Sequence, residues 1–144
     1  MFKEICTLIA DLTGFVIGDT LQVGHRLPNA PERCILVGES GAGGIEPQLP
    51  DYADVMIQVV SRAKNYFDAR DDAYVVYRAL HGTAGWNMPR LEGSGDDYIA
   101  WVVSAVSIPQ YIGQTENHLF EFSTNYIFRC AEASCGVESG SGSA

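Results

Sequence analysis

The chemistry-bearing residues are densest in Gly38-Glu39-Ser40-Gly41-Ala42-Gly43-Gly44. Gly38 and Gly43 stand at the spacing of the outer glycines of a phosphate-binding loop, whose backbone N–H groups cradle phosphate oxygens. The position that needs lysine holds Gly44, and the one that needs Ser or Thr holds Ile45. Without that cation and that hydroxyl, the terminal phosphates and their Mg²⁺ have no ligands. The same segment looks like a nucleophile elbow around Ser40, with His81 or His118 as base. An elbow needs glycine two residues after the serine, where this chain has Ala42, and a strand–turn–helix in a large parallel sheet. Pro47 and Pro50 deny that helix. Nucleotide binding and serine hydrolysis both rank low, with hydrolysis by Ser40 kept as a third reading.

Other candidates read as structure. Asp71-Asp72 and Asp96-Asp97 suggest paired carboxylates. Neighbours in sequence diverge on a helix, so Asp71 and Asp72 do not face each other, and a solvated first turn suits them better. Cys6, Cys34, Cys130 and Cys135 form no C-x-x-C pair, and His25, His81 and His118 supply no zinc-ligand spacing. Buried, reduced thiols are expected. Trp101 alternates within a strand and is expected in the core, while Trp86, between Gly85 and Pro89, fits either core or surface. The expected catalytic, cofactor and metal residues are therefore none, and no cofactor is implied.

The elements that would position these groups follow from periodicity. Phe2, Ile5, Ile9 and Leu12 recur at steps of three and four, one face of an amphipathic helix widened by Leu8 and stopped at Gly14. A second helix is expected over residues 67–81, with Ala69, Ala73, Val76, Tyr77 and Leu80 on one face and Gly82 ending it. Strands are expected over residues 20–23, 34–37, 53–62 and 98–108, the last stopped by Pro109. In the third, Val55, Ile57 and Val59 take one face, and Met56, Gln58 and Val60 a mixed, partly covered one. Phe120, Phe122, Tyr126 and Phe128 alternate with Glu121, Ser123, Asn125 and Arg129, one face aromatic and the other wet. That strand and 98–108 make a hairpin, with a polar turn at 111–117. Residues 38–51 and 82–96 read as long loops. Regular β-α-β-α alternation is absent, so the fold class is α+β: an antiparallel or mixed β-sheet with two α-helices packed on one face.

The 144 residues suit one domain, and 47% hydrophobic residues suffice for a packed core. Residues 1–135 form the domain, and the Gly/Ser-rich stretch 136–144 a flexible tail. The net charge of −9 disfavours tight binding to a phosphate backbone. No apolar run spans a bilayer and no secretory cleavage site is present, so a soluble cytoplasmic product without a membrane partner is expected.

Three stretches carry a family resemblance. They are Val59-Val60-Ser61-Arg62-Ala63-Lys64 leading into the helix closed by Ala79-Leu80-His81-Gly82; Ile108-Pro109-Gln110-Tyr111-Ile112-Gly113-Gln114-Thr115-Glu116-Asn117; and Phe120-Glu121-Phe122-Ser123-Thr124-Asn125-Tyr126. In order and spacing, over roughly residues 1–130, they resemble the tail terminator (tail completion, or minor capsid) proteins of long-tailed bacteriophages. The resemblance implies an α+β subunit that is not an enzyme. It implies a homo-oligomeric ring, usually a hexamer, that caps the tail tube protein and docks on the head–tail connector at the neck of the virion. DNA passes through the lumen without specific binding, and the subunit is made in the host cytoplasm. Loop 38–44 and the Gly/Ser-rich C-terminus depart from the family pattern. Asp/Glu side chains lining the lumen would repel phosphates and let DNA pass. The alternative is a small α+β ligand- or peptide-binding module.

Overall fold

The computed structural model describes residues 1–40, 45–46, 49–91, 93 and 95–132. Helix α1 covers Phe2–Thr13 and ends where Gly14, at φ 83°, returns its N–H to the Ala10 carbonyl. Only glycine takes that left-handed turn without strain. Strand β1 (Leu21–Val23) follows, then β2 (Cys34–Glu39), β3 (Ile45–Glu46) and β4 (Leu49–Ala63). Helix α2 runs over Tyr66–Leu80. Its N-cap is Asn65, whose side chain accepts from the Phe67 and Asp68 amides, satisfying donors that the helix leaves open. Strands β5 (Thr83–Met88), β6 (Tyr98–Ala105), β7 (Gln110–Gln114) and β8 (Phe120–Glu132) complete the chain. No helix among the described residues is long and apolar enough to cross a membrane.

The strands make one mixed sheet in the order β1-β2-β4-β8-β6-β5, with β3 beside β4 and β7 beside β8. Among the strands of the described residues, β1 and β2 pair in parallel and the other pairs are antiparallel. The two long strands form the spine, and Ile57 opposite Tyr126 and Val59 opposite Thr124 fix their register. One outer flank of β8 is shared: β6 pairs along residues 126–132 and β7 along 120–123. Both helices pack on one face, the expected α+β arrangement. Ile5 and Ile9 of α1 and Val76 and Leu80 of α2 meet Ile35, Ile57, Tyr126 and Phe128 of the sheet in a single buried cluster. Full burial of each such side chain is worth about 1.5–3 kcal/mol. Ser61, also fully buried, ties α2 to β4 by donating to the Ala69 carbonyl at 2.7 Å.

The opposite face is mixed, as the sequence suggests, and Arg26 lies against it. Its guanidinium donates to the Val60 carbonyl at 3.0 Å and the Cys34 sulfur at 3.4 Å, and pairs with Glu121 at 3.2 Å. Arg62 donates from the same face to the Pro31 and Glu32 carbonyls.

Five expectations fail. Residues 82–96 are not all loop, because Thr83–Met88 is a strand held by pairing with β6. Its sequence TAGWNM gives no apolar alternation, since only Met88 is buried. The polar turn at 111–117 holds most of β7, and the strand expected over 98–108 is broken. The chain keeps one bond past Ala105, from the Val106 amide to the Asn125 carbonyl, then resumes pairing at Gln110. Residues 38–51 contain β3 and the start of β4, prolines there excluding helix but not a strand margin. Trp101 is not in the core. A bulge between Ala100 and Val102 makes it the extra residue, and it stands 37% exposed.

Candidate functional site

The residues with chemical potential are mostly committed to holding the fold. Ser40 follows β2 and its amide donates to the Met56 carbonyl at 3.0 Å; residues 41–44 of its glycine loop lie outside the described residues. His81 caps α2, stacks on Tyr77 at 5.0 Å, and accepts the Ala105 amide at Nδ1. That acceptance places its proton on Nε2. His118 sits in the β7–β8 turn at φ 62°, and His25 is exposed. Asp71 is exposed but Asp72 is buried. Both Asp72 oxygens take a bidentate grip from Arg33 at 3.0 Å, which raises the Arg33 pKa. The solvated pair expected from sequence is thus half ion pair. The Asp96 backbone carbonyl and the Asp97 carboxylate brace the loop after β5, accepting from Arg90 Nε and the Arg90 amide respectively. The indole N–H of Trp86 donates to Thr83 Oγ1 at 2.8 Å. Cys6, Cys34 and Cys130 are buried free thiols, as expected, while Cys135 and the tail 136–144 lie outside the described residues. Burial pushes the Cys6 and Cys130 thiols up to about 12, so neither ionises near neutrality.

What the fold leaves open is apolar surface at two margins. Beside β7, the Tyr66 ring packs on Tyr111 at 5.4 Å, on Phe120 at 5.7 Å and on Phe122 at 5.1 Å. Phe67, which meets Tyr66 edge-on at 5.4 Å, and Tyr111 carry that cluster into solvent, and Val106, Ile108 and Ile112, in and just before β7, are exposed as well. Among the described residues β7 pairs only with β8, and its sequence QYIGQ carries no charge. An uncharged open strand flanked by apolar side chains is a pairing surface that isolated proteins normally blunt. At the other margin, Ile17 forms a parallel bridge with Leu21, and Val16, Ile17 and Leu27 are exposed. A cleft of about 400 Å³ opens beside them, with Cys6 and Thr7 of α1, Ile17, Val23 and Leu91 in its wall.

Paired residues cross the sheet in one row: Leu21, Ile35, Ser61, Phe122 and Tyr111. The two margins therefore lie at the same level along the strands, four strand spacings or about 19 Å apart. Sequence reading missed Phe67, Tyr111, Ile112, Val16 and Ile17 as surface residues. An exposed and a buried apolar residue look alike in a string, and the only signal was the uncharged QYIGQ stretch.

The described polar groups mostly serve the fold, and the apolar sheet margins suit a subunit that packs against other chains. The sequence profile of the bacteriophage tail terminator proteins matches residues 7–131, and the chain belongs to that family. It is accordingly a structural protein of the phage tail. No curated protein matches it in sequence. Among solved structures, a chain from the virion of a native gene transfer agent particle superposes with a TM-score of 0.52 at 16% identity, over 85% of this chain and 84% of that one. That likeness shows a shared fold.

Proposed function

We propose that copies of this chain, six in number, form a ring that closes the tail tube and joins it to the head connector at the virion neck, with DNA passing through the lumen. The observation that carries this reading is the family match over residues 7–131. The arrangement of the subunit supports it. A ring subunit needs two different surfaces on opposite sides and a rigid body between them. The β1 and β7 margins flank a sheet whose spine is buried on the helix side. We further propose that carboxylates line the lumen, because a −9 chain repeated around an axis repels phosphate and lets DNA slide.

Purified protein viewed by electron microscopy, with its mass measured in solution, tests the ring. Six-fold particles of six chain masses are expected, or such rings on purified tail tubes. Monomers under both conditions sink the reading and favour the ligand- or peptide-binding module, for which the cleft beside α1 offers a site. A neutral or basic inner wall in the assembled ring refutes the lumen charge.

A further inference from the structure

The two apolar margins differ from each other, and that difference decides how copies can meet. Phe67, Val106, Ile108, Tyr111 and Ile112 on the β7 side, and Val16, Ile17 and Leu27 on the β1 side, are each between 43% and 66% exposed. We propose that the β7 margin of one copy seats against the β1 margin of the next, joining sheets head to tail. The occupant of each margin is thus a second copy of this chain. The inference rests on the ring reading and names the surfaces that make the ring.

Three features favour this occupant. The first is direction. β1 runs parallel to β2, β2 antiparallel to β4, β4 antiparallel to β8, and β8 antiparallel to β7. β7 is therefore antiparallel to β1. Rotating a copy about an axis along the strands brings an uncharged open edge beside an antiparallel backbone, the better ladder geometry. The Ile17 bridge supplies the outermost backbone there, because the Val16–Gly18 turn already takes the N–H and C=O of Leu21. The second is level. Leu21 and Tyr111 share one row across the sheet, so a joint that pairs these two levels adds no rise from copy to copy. A head-to-tail contact that does not climb closes into a ring instead of a filament. The third is area. Five half-exposed side chains at about 100 Å² each give the β7 margin on the order of 500 Å², against the roughly 800 Å² per partner of a stable specific interface. The open β7 edge and the neighbour's cleft beside Ile17 enlarge the contact.

The test uses one variant for each margin. Phe67→Asp with Ile112→Asp disables the β7 side, and Val16→Asp with Ile17→Asp disables the β1 side. These side chains are exposed, and an Asp at position 67 suits the first turn of α2. Circular dichroism checks folding, and single Ile112→Lys and Ile17→Lys changes replace any double variant that fails it. Native mass measurement should show a sixfold drop from ring to monomer for each variant alone. An equimolar mixture should stop at heterodimers, since one intact margin of each kind remains. Either variant assembling like wild type overturns the inference while the ring reading stands. A mixture that rebuilds full rings or stays wholly monomeric does the same. Wild type that is monomeric both alone and with tail tubes overturns the ring reading and the inference with it.

Discussion

Tyr126 shows how far this fold tolerates an unspent polar atom. Its ring is fully buried opposite Ile57 in the spine, and its hydroxyl has the Thr124 side chain beside it but no well-formed hydrogen bond. Burial pushes its phenol pKa up. A buried hydroxyl without a partner costs about 1–3 kcal/mol of desolvation. Tyr126→Phe keeps the ring and deletes the penalty, so thermal melting should show equal or higher stability; a loss above about 1 kcal/mol would mean that the hydroxyl is bonded after all. Glu4 is the opposite case. It is buried, and burial disfavours its charge, but the Leu91 amide donating to Oε2 at 2.8 Å leads the contacts that outweigh burial and hold its carboxyl below the usual 4.5. A lowered pKa stabilises the fold above the ordinary value and loses that contribution as pH falls through the folded one. Glu4→Gln should cost about 1–3 kcal/mol at neutral pH. The difference from wild type should shrink steadily below pH 4.5 in denaturant titrations.

Helix ends and strand margins are where the elements carry their information. Asn65→Ala removes the α2 cap and should cost about 1 kcal/mol. Gly14→Ala should cost a similar amount, through the positive φ alone, because an added Cβ there meets nothing within 4 Å. Melting curves of the two single variants and the double check both, and the costs should add because the caps end different helices. The Gly14 stop and the core strands were legible in the sequence, whereas the Asn65 cap was not singled out. Phe122, Tyr126 and Phe128 alternate because one face of β8 is buried and the other is not. The margins were illegible for the same reason in reverse. β5 and β7 bury almost nothing of their own, so their residues obey no period, and pairing with β6 and β8 alone makes them strands. Asp72 read as solvated because its partner Arg33 lies 39 residues away, before β2. Trp101 fooled the alternation because a bulge adds one residue and resets the phase.

At the scale of the molecule, one buried cluster includes residues from both helices and from β1, β2, β4, β5, β6 and β8. It should unfold as a unit, and only the margins can open separately. The amides of Ile57, Val59 and Tyr126 lie where their strands are paired on both sides. They should exchange with solvent hydrogen only through global unfolding. The amides of Gln110–Gln114 have β8 on one side and, among the described residues, no strand on the other. In the isolated subunit they should exchange by local opening, orders of magnitude faster than the spine. The proposed joint would change the environment of that strand and leave the spine untouched. Hydrogen exchange read by mass spectrometry on monomer and ring should therefore show protection gained at 110–114 and at 16–18, with residues 57–59 and 124–126 unchanged. Protection rising at the spine instead would mean that assembly tightens the whole subunit. Protection rising on the outer sheet face near Arg26 and Glu121 would move the joint away from the margins.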